Sequence, residues 1–331
     1  MGENPPDGAI IDYYLAGPGA LPVTGEILDS QGHLVRKFSS SDNPDQTQEE
    51  IAKQLIPLYL IRMPKTLSPD QGMHRWVWDL HYPVPLSTRH EYPISAVPHD
   101  TPRYPLGPRA LPGQYTVRLT SDRTNLSSVM PASTRTVVVS APLAIKMDTR
   151  ANTPLAGFQQ QFRAQTDLAD KMTKTSMALA QAHSLSDQLE KISAEASGSL
   201  KDSIAEFGKK LAAFLDTPAA TATSGAPESA PQEATPRAAK SAEPEATLPK
   251  VSSDISTLYA EIDRADAAPT SAQARAHLEI GRNFSAAIKS WEELKSGDIP
   301  ALNRQLSSAG LPELRLESNP QPLEESSGDE E

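Results

Sequence analysis

Met73-His74-Arg75-Trp76-Val77-Trp78-Asp79-Leu80-His81-Tyr82 alternates with a period of two. His74, Trp76, Trp78, Leu80 and Tyr82 fall on one face, and Arg75, Val77, Asp79 and His81 on the other. Successive side chains of a strand point to opposite faces, so the stretch predicts a strand with its Trp face buried. Working outward, Ala9 to Leu15 is short, apolar and Tyr-rich. Val23 to Asp29 and His33 to Phe38 flank the turn signal Asp29-Ser30-Gln31-Gly32, which predicts a hairpin. Gln114 to Ser121 alternates with Tyr115, Val117 and Leu119 inward, and Thr134 to Ser140 supplies a Val-rich strand. Several short strands separated by turn residues predict an antiparallel β-sandwich for residues 1–150.

Between the two best strands, residues 83–113 hold eight Pro in 31 residues, too many for ladder pairing, and form a long loop. The loop is expected to be either ordered or mobile, since loops of this length are often functional or disordered.

After Asp148 the apolar period changes to about 3.6. Thr153-Pro154 reads as an N-cap followed by Pro at the first helical position. Leu168, Met172, Thr175, Leu179, Ala182, Leu185, Leu189 and Ile192 then make one stripe of a long helix. Leu200, Ile204, Phe207, Leu211 and Phe214 make a second helix, and Val251, Ile255, Leu258 and Ile262 a third. A fourth opens at the capping box Thr270-Ser271-Ala272-Gln273 and carries Ala274, His277, Gly281, Phe284, Ile288, Trp291 and Leu294. Four amphipathic helices bury one another as an antiparallel bundle over residues 151–316, giving an α+β, two-domain expectation. Residues 217–249, with ten Ala, six Pro and no aromatic, are expected to be a disordered linker within the bundle. Residues 317–331 are expected to be a disordered acidic tail.

The net charge is −11, and the tail alone carries six acids and no base. No run of Lys or Arg is long enough to displace the counterions of a nucleic acid, so that partner is excluded. Absence of Cys removes disulfides and thiolate metal sites. Neither a signal peptide nor an apolar stretch of membrane-spanning length is present in the sequence.

Four blocks resemble a known family. They are residues 4–15 (Asn-Pro-Pro-Asp-Gly-Ala-Ile-Ile-Asp-Tyr-Tyr-Leu), Glu26-Ile27-Leu28-Asp29 with Val35-Arg36-Lys37-Phe38, Gly72 to Leu80, and Leu111 to Leu119. They occur in the order found after the propeller of bacterial BNR/Asp-box repeat proteins, which are sortilin-like and often labelled glycosyl hydrolases. The strand scheme also resembles the Ig-like domain of the flagellar hook-capping protein. The likeness continues through Lys146 to Arg150 and Gln159 to Phe162, covering roughly residues 4–215 and 250–305; Thr149 replaces the family's usual Pro, and Ser128 to Ser133 lengthens the approach to the last strand. The resemblance implies an Ig-like sandwich and a helical segment packed on or extending a β-propeller. The Ser-x-Asp-x-Gly-x-Thr-Trp repeats of that propeller are not in this sequence.

No catalytic residues, cofactor or metal are expected. His90-Glu91 opens like a zinc-protease motif, but Ile94 stands where the second His is needed and Pro93 forbids the helix. His74, His81, His90 and His99 with Asp79 and Asp100 are expected to be loop and strand-edge residues, and His277 a core-edge residue. No nucleophile elbow or Gly-rich phosphate loop is present, and acids are too plentiful to nominate the carboxylate pair of a glycosidase. Trp76 and Trp78 are expected in the core rather than on a sugar platform. The candidate ligand surface is Tyr92, His99, Arg103 and Tyr104 of the Pro-rich loop. The function expected is a non-catalytic accessory module, with a β-propeller of the same or a neighbouring chain, another protein, or a glycan as partner; the alternatives are an independent protein- or glycan-binding module and, after it, a glycoside hydrolase. Such a module is extracytoplasmic if an upstream segment supplies export, and cytoplasmic if the chain is complete.

Overall fold

The computed structural model describes residues 7–16, 22–43, 46–53, 56–63, 66–93, 98–125, 133–215 and 247–317. The chain is a mixed α+β protein with two antiparallel sheets. One sheet pairs β1 (Ala9–Leu15) with β4 (Gly72–Trp78). The other has the order β3 (Leu34–Ser39), β2 (Val23–Leu28), β5 (Gly113–Asn125), β6 (Ser133–Ile145). Among the described residues five helices of ten residues or more follow: α2 (Leu155–Ser193), α3 (Ser199–Leu215), α4 (Leu248–Asp263), α5 (Ser271–Glu293) and α6 (Ile299–Ser308). A short helix, α1 (Gln48–Ala52), stands earlier, with Thr47 and Glu50 closing a capping box.

By internal contacts the chain divides into two compact units. The first holds Met1–Pro85, Arg89–Ala169 and Ile262–Pro269; the second holds Leu86–Thr88, Asp170–Glu261 and Thr270–Glu331. The division falls inside α2.

In the first unit both sheets feed one apolar core. Tyr13, Leu15, Trp76 and Trp78 come from the β1–β4 pair, and Val23, Ile27, Val35 and Tyr115 from the larger sheet. Ring contacts join them: Phe38 meets Trp76 edge-on at 4.2 Å, and Trp78 meets Tyr115 at 5.8 Å. Trp78 is 0% exposed, and its indole N–H donates to the His81 carbonyl at 3.0 Å, so the polar end of the ring is satisfied in the core. The hairpin turn forms where Asp29-Ser30-Gln31-Gly32 predicts it, Gly32 taking the φ of +84° that the turn needs.

The Trp strand is shorter than its alternation suggests. β4 stops at Trp78, and Leu80 takes a φ of +62°. Asp79 Oδ1 accepts the His81 amide at 3.1 Å, an Asx-type turn that competes with the ladder, and His81 is thereby buried at 5% exposure rather than left at a strand edge. The chain then doubles back: Tyr82 N donates to Pro108 O at 2.9 Å and Ala110 N to Leu80 O at 2.7 Å. Gly107 permits this approach, because a Cβ there would lie 2.0 Å from Tyr82 O. The first unit is completed by the start of α2 and the α4–α5 connection. Phe162 packs on Tyr82 at 5.2 Å, Gln161 Nε2 donates to the carbonyls of Ile262 and Ala265, and Gln165 Nε2 reaches Asp263 at 2.8 Å.

In the second unit all the expected α2 stripe positions from Met172 to Ile192 are buried, as are Ile204, Phe207 and Leu211 of α3 and Val251, Ile255 and Leu258 of α4. The expected linker 217–249 lies outside the described residues except its last three. Leu248 and Pro249 open α4, and Leu248 is fully buried. α5 starts at its capping box on Thr270, but its buried line is Ile280, Ala287 and Trp291. Ala274 is exposed, and so is Leu278 at 68%. A π turn at Leu294–Asp298 carries α5 into α6, an additional helix with Leu302 and Leu306 buried. Residues 311–317 follow without regular secondary structure. Gln188 and Asn303 hold them at both ends of their amides, on Arg315 and Leu314 respectively, at 2.8–3.0 Å. The expected tail lies outside the described residues apart from Glu317, whose carbonyl accepts Gln181 Nε2.

Candidate functional site

The four candidate residues lie on the Pro-rich loop, and its backbone bonds show what each of its turns is held against. Glu91 and Tyr104 form a two-way backbone bridge at 3.1 and 2.8 Å, which sets Tyr92 and Arg103 on neighbouring strands of that bridge. The Tyr92 hydroxyl donates to Gln46 Oε1 at 2.6 Å, so its polar end is held by the protein. The His99 amide donates to Tyr59 O at 2.8 Å, and His99 is exposed with a φ of +59°. This bond brings His99 to Tyr59, which is 60% exposed. Asp100 is held by Arg62 through two bonds of 3.0 and 2.7 Å.

The histidines are dispersed. His74 Nε2 meets Asp70 O at 2.7 Å beside the Tyr13 ring, and no group of three His, Asp or Glu able to hold a metal exists among the described residues. His81 Nδ1 lies 2.7 Å from the Asp79 carbonyl, which can only accept, so that nitrogen carries the proton. Burial disfavours the imidazolium and pushes the His81 pKa below the usual histidine value; Asp79 and Asp263 oppose this, and Arg109 reinforces it. The buried Tyr115 phenol, which donates to Leu111 O, is pushed up to about 12 by the same desolvation.

Two surfaces of the first unit have the composition of binding sites. One is the outer face of β1–β4. The register sets Tyr14 beside Met73, Asp12 beside Arg75 and Ile10 beside Val77. Tyr14 is 64% and Met73 68% exposed, and the Arg75 guanidinium bonds Asp12 bidentately at 2.8 and 2.9 Å between the apolar pairs. Mutual hydrogen bonding holds the Asp12 carboxyl below its ordinary pKa. The second is a groove of about 440 Å³ between edge strand β3 and the segment after the Trp turn, lined by Leu34, Val35, Arg36, Lys37, Tyr82, Pro83 and Val84. Arg36 crosses one end, donating to the Tyr82 carbonyl and lying over the Phe38 ring.

The outer face was legible in the alternation of Ile10, Asp12 and Tyr14 against Met73 and Arg75, since inward Trp residues oblige these side chains to face out. The groove was not, because it depends on the return of residues 82–84 beside a strand remote in sequence. No family model matches the chain, and no curated protein or solved structure matches it either.

Proposed function

We propose that this chain is a non-catalytic interaction module whose two sheets form an Ig-like sandwich, and that it docks on a protein partner through the outer face of β1–β4. The observation that carries the reading is that face itself: Tyr14 and Met73 side by side, Ile10 at 45% exposure, and a preset Arg75–Asp12 pair between them. Exposed contiguous apolar side chains mark interaction sites, and Tyr, Met and Arg are the residue types enriched at interface centres. The pair adds orientation, because a guanidinium already fixed by a carboxylate loses little freedom on binding. The sequence blocks resembling the region after a sortilin-like BNR propeller make such a propeller the first partner to test, in an extracytoplasmic setting. No helix among the described residues is long and apolar enough to cross a membrane.

The test is calorimetric titration of the chain with a purified Asp-box β-propeller, comparing the wild type with a Tyr14→Ala/Met73→Ala double variant. Hot-spot truncation costs above ~1 kcal/mol, so affinity should fall at least about fivefold with the fold intact. Binding unaffected by the double substitution would move the interface elsewhere. Glycan binding lost on changing His99 but not Tyr14 would replace the protein reading, and product release from aryl glycosides or polysaccharides that is lost with Glu91→Gln or Asp100→Asn would overturn it.

A further inference from the structure

We infer that the groove along β3 is a second docking site, one that takes an extended, acidic peptide as an added strand. The inference rests on the interaction-module reading but on a different surface. β3 is the edge of the larger sheet. Ser40 N donates to Val23 O at 2.9 Å, and the same register pairs Phe38 with Gly25 and Lys37 with Glu26. Hydrogen-bonded and non-bonded pairs alternate in an antiparallel ladder. The 40–23 and 38–25 pairs are therefore bonded, and the 37–26 pair is not, which turns the N–H and C=O of Lys37 away from β2 and into the groove. The next outward residue along the strand, Ser39, already has its amide on Asp42 Oδ2 at 2.6 Å, so the open backbone lies at the groove end of β3.

Charge decides the occupant. The seven lining residues include two cations and no acid. Glu26, the cross-strand neighbour of Lys37, is engaged by Arg118 Nε at 2.7 Å, and among the described residues Lys37 has no ion pair. A second copy pairing β3 to β3 would bring lysines together, a device by which edge strands repel their own kind. An incoming strand with a carboxylate opposite Lys37 meets the opposite situation. Leu34, Val35, Tyr82, Pro83 and Val84 supply apolar walls for its alternate side chains, the division of labour of strand addition, in which the backbone gives affinity and pockets give specificity. Gly107 keeps the far wall in place by letting the chain lie against Tyr82 and Pro83.

The experiment is fluorescence anisotropy of the full chain with a fluorescein-labelled peptide of alternating valine, threonine and glutamate, against the same peptide with lysine for glutamate and against one N-methylated at alternate amides. The acidic peptide should bind saturably, and the N-methylated one should not. Lys37 is exposed, so Lys37→Glu should keep the native circular dichroism while weakening the acidic peptide about tenfold and favouring the lysine peptide. Equal binding of both charges to wild type and variant, N-methylation without effect, or no binding of the acidic peptide would overturn the inference. If Lys37→Glu unfolded the chain, Lys37→Gln would replace it, with loss of the preference for glutamate over lysine as the readout. Run beside the Tyr14/Met73 titration, the outcomes separate: peptide binding lost with propeller binding retained removes the groove alone, and loss of the Tyr14/Met73 dependence alone removes the module reading.

Discussion

His81 shows how a single side chain ties local geometry to stability. Its amide and Nδ1 are both turned onto Asp79, which ends β4, and its carbonyl accepts the indole of Trp78. The ring is buried in the neutral form and its pKa is depressed, chiefly by desolvation. The unfolded chain, with an ordinary histidine near pH ~6.5, binds the proton first on acidification. Stability contributed by the neutral ring is therefore complete above that value and is lost as pH falls from there through the lower native pKa. Chemical denaturation at pH 7.5 and pH 5 should show this loss in the wild type, and His81→Gln should reduce the difference between the two pH values. An unchanged pH dependence in the variant would mean that His81 does not carry the effect.

At the scale of elements, the end of the helical unit depends on two carboxamides. Residues 311–317 have no regular secondary structure, yet Leu314 is buried, and Gln188 and Asn303 each accept one backbone amide and donate to one carbonyl of the segment. A side-chain amide used in this way mimics a strand neighbour. Each net hydrogen bond contributes roughly 0.5–1.5 kcal/mol, so Gln188→Ala or Asn303→Ala should cost about 1–2 kcal/mol. The amides of Leu314 and Arg315 should then exchange with solvent faster, while those of α2 keep their protection. Uniform loss of protection across α2 would show instead that the segment is an inseparable part of the unit.

At the scale of the whole molecule, each compact unit draws on both halves of the sequence. The strand-rich unit includes residues 155–169 and 262–269, and the helical unit includes Leu86–Thr88, where Thr173 Oγ1 accepts the Leu86 amide and Ser176 Oγ donates to the Leu86 carbonyl. A fragment of residues 1–150 would lack Phe162 against Tyr82 and the Asp266 partner of Arg109. It should unfold at lower denaturant than the strand-rich unit does in the full chain, and should bind a hydrophobic dye where the full chain does not. An unchanged midpoint would show that these borrowed segments contribute little.

The elements were largely legible in the sequence because periodicity is a local property. Alternation about Trp76 and Trp78 gave β4 and its buried face, the Asp29–Gly32 turn gave the β2–β3 hairpin, and the Thr153-Pro154 start with the stripe ending at Ile192 gave the two ends of α2 to within one residue each. The capping box at Thr47 and Glu50 was equally readable and marks α1, which composition alone hides among turn residues. Tertiary structure decided what depends on partners remote in sequence: the end of β4 at the Asp79–His81 turn, the shift of the buried line of α5 to Ile280 and Ala287, and α6 beyond the π turn. It also opened the groove beside β3. Side-chain alternation says which face is apolar, but only the packed chain says which neighbour covers it and which edge stays open.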